Sequence, residues 1–170
     1  MAKILIAEDN DDIRSLVVRA LSDDGHELIV TQDGAAALKA LRRCKGDLDL
    51  LLTDVQMPSM DGIALALAAG RRHPDMAIML MTGYADQRER AHGLDALVHD
   101  VISKPFSVEQ IKGAVREALV ERLSMLRIIR QRRLVGLPEP ALLGERRQPE
   151  DRVLAQLGRR ADIPVEPSIR

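Results

Sequence analysis

Short apolar runs recur along the first two thirds of the chain and predict five β-strands. Each run is rich in aliphatic residues and is bounded by charged or turn-forming residues, as in strands that are buried in a sheet. The third run contains three consecutive leucines and ends in the carboxylate of Asp54, which predicts a strand buried on both faces. The predicted strands cover residues 3–7, 27–31, 48–54, 77–81 and 101–103.

Amphipathic stretches between these runs predict five helices. In the first, Ile13, Leu16 and Val17 share one face at helical spacing, and Gly25 ends the helix. Asp33 is a suitable cap for the second helix. The other helices are predicted from residue 63 to before Pro74, over 86–98, and from about 107 onward. Strands that alternate with helices in this way predict a doubly wound α/β fold with a five-stranded parallel sheet.

The chain changes character near residue 120. Residues 1–120 contain 14 Lys and Arg against 19 Asp and Glu, whereas residues 121–170 contain 11 Arg, no Lys and 7 acids. The helical pattern of the fifth helix continues to about Val135, and five of the eight prolines lie beyond that residue. We therefore predict a domain over 1–120, a helical extension over 121–135 and an Arg- and Pro-rich, partly disordered tail over 136–170.

The extended helix and the tail leave several partner classes open. Homodimerisation through the fifth helix is one prediction, although Arg122 and Arg132 interrupt a regular heptad seam. The basic tail is interpreted first as a solvated charge run and second as a docking segment for an acidic or helical partner. DNA binding ranks third and is not expected, because about 50 proline-broken residues leave little room for a helix-turn-helix module with its own core.

The amino-acid composition indicates the cellular compartment and argues against one class of partner. Hydrophobic residues make up 46% of the chain and charged residues 30%, as in soluble globular proteins, and the single Cys44 excludes an internal disulfide framework. The apolar start is too brief for a signal peptide, and no stretch reaches the roughly 18 apolar residues of a membrane span. We expect a cytoplasmic protein. Tyr84 and Phe106 are the only aromatic residues, which argues against stacking on single-stranded nucleic acid.

Chemically active side chains follow four of the predicted strands. Strand one leads to Glu8 and Asp9, strand three to Asp54, strand four to Thr82 and strand five to Lys104. Ligands bind outside the carboxyl ends of the strands in open α/β sheets, so we expect these side chains to lie together. Three converging carboxylates favour a bound Mg²⁺, since this ion prefers oxygen ligands. A carboxylate beside Mg²⁺ is a suitable nucleophile toward a phosphoryl group, which a lysine and a hydroxyl can hold from the other side.

This pattern resembles the receiver domain of two-component response regulators, which has a flavodoxin-like fold. In that family an acidic pair follows strand one, the phosphoacceptor Asp ends strand three, Thr or Ser ends strand four, and Lys-Pro follows strand five. The Met-Pro-x-Met-Asp-Gly stretch over 57–62 is also typical of it. The resemblance covers about residues 1–120. It implies that a histidine kinase or a histidine phosphotransfer protein phosphorylates Asp54, and that Thr82 and Lys104 contact the phosphoryl group.

The resemblance also implies a set of Mg²⁺ ligands. Asp9 and Asp54 would bind the ion directly, Glu8 would bind it through water, and the backbone carbonyl of Gln56 would complete the protein ligands. The residues expected to support the surrounding loops are Pro58, Gly62 and Pro105.

A narrower resemblance is to the CpdR-type single-domain regulators of alphaproteobacteria. It rests on the AED start, on MDGIALALAAGRRHPD over 60–75 and on MTGYADQRERAHGLDALVHDVISKPF over 81–106. Regulators of this type prime the ClpXP protease for some of its substrates in their unphosphorylated form. The resemblance therefore implies an output through protein contacts and regulated proteolysis.

One position departs from the family pattern. The family often has a switch aromatic three residues before the lysine, and here that residue is Val101. The usual coupling between the threonine and an aromatic flip cannot operate through a valine. We hypothesise that Tyr84 senses the phosphoryl state instead, and unchanged Tyr84 fluorescence on phosphorylation of Asp54 would count against this.

Two other function classes remain as alternatives. A DNA-binding transcriptional regulator would use the basic tail, and salt-dependent binding to a duplex would reveal it. A Mg²⁺-dependent phosphohydrolase would use the same aspartyl-phosphate, but such enzymes usually have a second acid two residues after the nucleophile, where this chain has Gln56. We therefore expect a switch and not a turnover enzyme.

Overall fold

The computed structural model describes residues 1–44, 48–83, 94 and 97–134. Strands and helices alternate along this part of the chain, and their bounds follow the predicted pattern closely. The strands are β1 (Lys3–Ala7), β2 (Glu27–Thr31), β3 (Leu50–Asp54), β4 (Ala77–Thr82) and β5 (Asp100–Ser103). The helices are α1 (Asp11–Asp23), α2 (Gly34–Arg43), α3 (Gly62–Arg72) and α4 (Val108–Leu134).

The five strands form one parallel sheet in the order β2-β1-β3-β4-β5. The predicted doubly wound sheet is thus confirmed, with β1, β3 and β4 as its central strands. β5 begins one residue earlier than the sequence indicates, because Asp100 pairs with Met79. All five residues of β3 are buried, in agreement with its prediction as a strand covered on both faces.

Two apolar layers enclose the sheet, one on each face. Alternate side chains of a strand point to opposite faces, so Leu5 packs with α2 and α3 while Ile4 and Ile6 pack with α1 and α4. This arrangement buries β1 and β3 on both faces. The carboxyl ends of the central strands are therefore held in a rigid frame.

Short polar side chains begin the first three helices. Asn10 accepts hydrogen bonds from the backbone of Asp12 and Ile13 at the start of α1, and Asp33 and Asp61 cap α2 and α3 in the same way. After α1 the chain turns at Gly25, whose φ of 76° favours glycine.

α4 is the helix predicted fifth in the sequence. Ser107 and Gln110 form a reciprocal capping box at its start, with distances of 2.7 and 3.1 Å between backbone nitrogen and side-chain oxygen. Ile111, Val115 and Ala118 bury its inner face. The other predicted helix (86–98), Tyr84, and the tail over 136–170 lie wholly or mostly outside the described residues. Within the described ranges, every helix is too short or too polar to span a lipid bilayer.

Candidate functional site

The carboxyl edge of the sheet gathers the residues that the sequence singles out. Glu8 follows β1, Asp54 ends β3, Thr82 ends β4 and Lys104 follows β5. These four strands are consecutive neighbours in the sheet. Since all strands are parallel, their carboxyl ends bring the four side chains to one edge.

Three carboxylates form the centre of this edge. Glu8, Asp9 and Asp54 each offer an oxygen, and these atoms all lie within 4.8 Å of one another. Glu8 is fully buried and Asp54 is 6% exposed, whereas Asp9 faces solvent. Such a cluster concentrates negative charge in a poorly solvated place, which favours a bound cation or a neighbouring ammonium group.

Lys104 supplies that ammonium group. Its Nζ donates to Oε2 of Glu8 at 2.7 Å and to Oδ1 of Asp54 at 2.8 Å. Burial raises the pKa of the Glu8 carboxyl, and the hydrogen bond and positive charge of Lys104 offset only part of this rise. Burial of the Glu8 carboxyl therefore outweighs the stabilisation that Lys104 gives to its charged form.

Arg14 holds the backbone of the acidic loop from α1. Its Nη1 donates to the carbonyl oxygens of Glu8 at 2.9 Å and Asp9 at 3.2 Å, and its Nη2 pairs with Asp11. The backbone nitrogen of Asn10 donates to Oε1 of Glu8 at 3.1 Å. Sequence reasoning missed Arg14 and Asn10. No residue type or spacing in the sequence distinguishes Arg14 from an arginine in solvent, because its partners at the site are backbone carbonyls.

The loop after β3 fits closely around Asp54. Gly62 donates its backbone N–H to the carbonyl of Val55 at 2.9 Å. A Cβ atom on Gly62 would lie 1.9 Å from the carbonyl oxygen of Asp54, so only glycine fits there. Thr53 Oγ1 also donates to that carbonyl oxygen at 3.0 Å. The loop thus fixes the backbone of Asp54 from two sides.

A cavity of about 630 Å³ opens above the acidic cluster. Thr82 is buried at the end of β4, and the next residue, Gly83, lines the cavity. The peptide bond between Lys104 and Pro105 is cis. The cavity is lined by Glu8, Asp9, Asn10, Ile13, Asp54, Gln56, Met57, Pro58, Gly83 and Lys104.

The switch hypothesis concerns Val101 and Tyr84, and the structure describes the first of them. Val101 lies on β5, where it is partly buried and packs against the core layer that faces α2 and α3. Tyr84 lies outside the described residues, so its part in sensing the phosphoryl group stays a prediction.

Comparison with known proteins agrees with this geometry. Residues 4–116 match the response regulator receiver domain family. The response regulator receiver protein CpdR of Brucella abortus is 36% identical over 120 residues, which cover 71% of this chain and 98% of that protein. The response regulator MprA of a Mycobacterium species is 33% identical over 122 residues, but the chain covers only 52% of its length.

Solved structures show the same fold. The receiver domain protein of Clostridium thermocellum superposes with a TM-score of 0.67 at 22% identity, covering 74% of this chain and 99% of that one. The response regulator TrrA of Thermotoga maritima, crystallised in complex with Mg²⁺ and BeF, superposes with a TM-score of 0.62 at 27% identity, covering 69% and 99%. The chain therefore belongs to the receiver domain family of two-component response regulators, with CpdR among its relatives.

Proposed function

We propose that Asp54 accepts a phosphoryl group from a phosphohistidine of a histidine kinase or a histidine phosphotransfer protein. The observation that carries this proposal is the position of Asp54, nine-tenths buried at the end of a central strand and held by Lys104 under an open cavity. In the transfer, an oxygen of Asp54 forms a bond to phosphorus while the P–N bond of the donor breaks. The donor imidazole keeps the electron pair of that bond and takes up a proton.

The acidic cluster fits a divalent cation. Glu8, Asp9 and Asp54 offer oxygen ligands within 4.8 Å of one another, and Gln56 lines the same cavity. We propose that these residues hold Mg²⁺, with Gln56 contributing its backbone carbonyl. When bound, the ion would neutralise charge that develops on the phosphoryl oxygens.

Lys104 would change partners during the transfer. Its ammonium, which contacts Glu8 and Asp54 in this structure, would turn to an oxygen of the bound phosphoryl group. The backbone N–H of Lys104 donates to the carbonyl of Thr82 at 2.7 Å, so the ends of β4 and β5 are tied together beside the site. Thr82 would use its hydroxyl to hold a second phosphoryl oxygen. Thr82 and Lys104 would then both change their contacts with the phosphorylation of Asp54.

The output we propose is a change in protein contacts and not the turnover of a substrate. The response regulator receiver protein CpdR is matched over 98% of its length. The resemblance of this sequence to CpdR-type regulators favours an output through regulated proteolysis by ClpXP. Relatives whose names describe DNA-binding regulators, such as NtrC of Escherichia coli, are matched over only 24% of their length.

Intact mass spectrometry after incubation with acetyl phosphate and Mg²⁺ tests the proposal. We expect one phosphoryl adduct on the full chain, and none without Mg²⁺ or in the Asp54→Asn variant. Asp23→Asn is the matched control, since Asp23 is an exposed acid at the end of α1, and it should label normally. Absence of the adduct, while another receiver labels in the same solution, would reject Asp54 as the acceptor.

The output is tested separately. Phosphorylated and unphosphorylated protein would each be added to purified ClpXP with a regulated substrate, and the rate of substrate loss would be measured. We expect acceleration by the unphosphorylated form only. Equal rates with and without the protein would reject the protease output but leave phosphorylation of Asp54 intact.

A further inference from the structure

α4 is longer than the sheet that it covers. It begins beside the carboxyl edge, directly after β5, and reaches the opposite edge at Arg122. Arg122 Nη1 contacts Oδ1 of Asp49 at 2.7 Å and its Nε donates to the carbonyl of Asp75 at 2.6 Å, and these acids precede β3 and β4. Residues 123–134 therefore extend past the sheet by about 18 Å.

Arg122 does not belong to the outer face of this extension. Its side chain is 14% exposed, because it points toward the sheet and bonds to Asp49 and Asp75. In the sequence alone, Arg122 interrupts a regular heptad seam. In the structure Arg122 lies on the inner face of α4, so it does not interrupt a seam on another face of this helix.

Four residues on another face of α4 follow each other at intervals of four, three and four. They are Glu121, Met125, Ile128 and Arg132, called the α4 seam below. Met125 is 40% exposed and Ile128 is 49% exposed, although both are large apolar side chains. The 4-3-4 spacing is that of the core positions of a coiled coil.

The α4 seam is self-complementary in one orientation only. It has an acid at its first position, two apolar residues in the middle and an arginine at its last position. In an antiparallel pair, Met125 lies opposite Ile128 of the second copy, and Glu121 lies opposite Arg132 of the second copy. A parallel pair would instead place Glu121 against Glu121 and Arg132 against Arg132. We propose that the chain forms an antiparallel homodimer through the α4 seam.

The length of α4 beyond the sheet suits this pairing. In the antiparallel register, the Arg122 residues of the two copies are separated by about 13 Å along the helix axis. In an antiparallel pair the two helices enter the paired segment from opposite ends, so the described residues before Arg122 lie on opposite sides of it in the two copies. The two-fold axis makes both copies use the same patch, as in most homodimers. Since the paired segment is short and buries less than about 1,000 Å², we expect a reversible dimer.

Charge exchange along the α4 seam tests the proposal. The full chain would be studied by sedimentation velocity over a range of concentrations, with circular dichroism to verify folding. We expect the Glu121→Arg and Arg132→Glu variants each to dimerise about tenfold more weakly, because each places like charges opposite one another at two symmetric positions. The double variant should regain the affinity of the natural chain, since the charges are then exchanged and complementary.

Three further variants distinguish the α4 seam from general effects of surface substitution. Ile128→Asn should abolish the dimer, whereas Leu67→Asn should not change it, because Leu67 is 41% exposed but lies on α3. Asp54→Asn should also leave the dimer unchanged, because the site lies at the far edge of the sheet. A chain that stays monomeric at every concentration, a double variant that does not recover, or a dimer that requires Asp54 would overturn the proposal.

Discussion

Glu8 shows how a single residue sets the electrostatics of the site. It is fully buried, and burial raises the pKa of its carboxyl above the ordinary value. A group with a raised pKa in the folded state contributes most to stability when protonated, at pH values below the ordinary one of about 4.5. That contribution is lost as the pH rises through the folded-state pKa, so at neutral pH the charged carboxylate opposes folding.

The Glu8→Gln variant tests this conclusion. Glutamine resembles the protonated carboxyl, and Lys104 keeps its hydrogen bond to Asp54. In EDTA at pH 7.5 we expect the melting temperature to rise by about 3 °C, which corresponds to ~1 kcal/mol. The gain in melting temperature on addition of Mg²⁺ should become smaller, because one oxygen ligand is weakened. A lower melting temperature in EDTA would show that the ion pair of Glu8 with Lys104 outweighs the cost of burial.

The close approach of Gly62 to the backbone of Asp54 gives a second testable prediction. In the Gly62→Ala variant the new Cβ meets the carbonyl of Asp54 at 1.9 Å, so the backbone of Asp54 must move. We expect a loss of at least ~2 kcal/mol in the free energy of unfolding, measured in urea, together with slower labelling by acetyl phosphate. Gly113→Ala is the control, since a Cβ there meets nothing within 4 Å. It should stabilise the chain by about 0.5–1 kcal/mol, as alanine does inside a helix.

Residues at strand ends could be predicted from the sequence, whereas residues that reach across the fold could not. Asp54 and Lys104 follow apolar runs, so their meeting at one edge follows from the parallel sheet alone. Arg14 contacts the carbonyls of Glu8 and Asp9 through a long, flexible side chain. Neither composition nor spacing distinguishes such an arginine from one in solvent, because its partners are backbone atoms.

At the scale of elements, the capping box of α4 is the clearest local determinant. Ser107 Oγ accepts from the backbone of Gln110, whose side chain accepts from the backbone of Ser107. In the Ser107→Ala variant we expect the free energy of unfolding to fall by about 1 kcal/mol, because a helix N–H loses its acceptor. Chemical denaturation would measure the change. Ser15→Ala, at an exposed position inside α1, should be neutral or slightly stabilising.

Element boundaries were predictable where apolar periodicity and caps coincide. Asp33 was identified as a cap from its residue type and position, and it accepts from the backbone of Ala36. The face that each residue of α4 presents was not predictable past Leu119. Apolar residues lie on all sides of the helix there, and the contacts of Arg122 show which side faces the sheet.

At the scale of the whole molecule, His26 and His99 lie near the amino edge of the sheet, away from the acidic cluster. His26 Nδ1 accepts from the backbone of Ala2, and His99 Nδ1 accepts from the backbone of Ile78, each at 3.3 Å. Burial lowers the pKa of both imidazoles below the ordinary value of 6.5. Both rings therefore remain neutral in the folded protein near pH 7.

A depressed histidine pKa makes stability depend on pH in one direction. At these two histidines the unfolded chain takes up protons below about pH 6.5 more readily than the folded one. Their contribution to the free energy of unfolding should therefore fall as the pH drops from 7.5 to 5.5, opposite in sign to that of Glu8. Urea denaturation at a series of pH values would measure the fall. In the His99→Asn variant the slope should be shallower over this interval. An unchanged slope would assign the pH dependence to other groups.

The length of α4 has a consequence for how such a chain can diversify. The same helix starts next to the edge of the sheet that carries Asp54 and ends about 40 Å away, beyond the opposite edge. Sequence changes in its last turns are therefore insulated from the chemistry at Asp54. Substitutions or insertions in the last turns of α4 can therefore change the surface that the helix offers to other proteins without altering the side chains around Asp54.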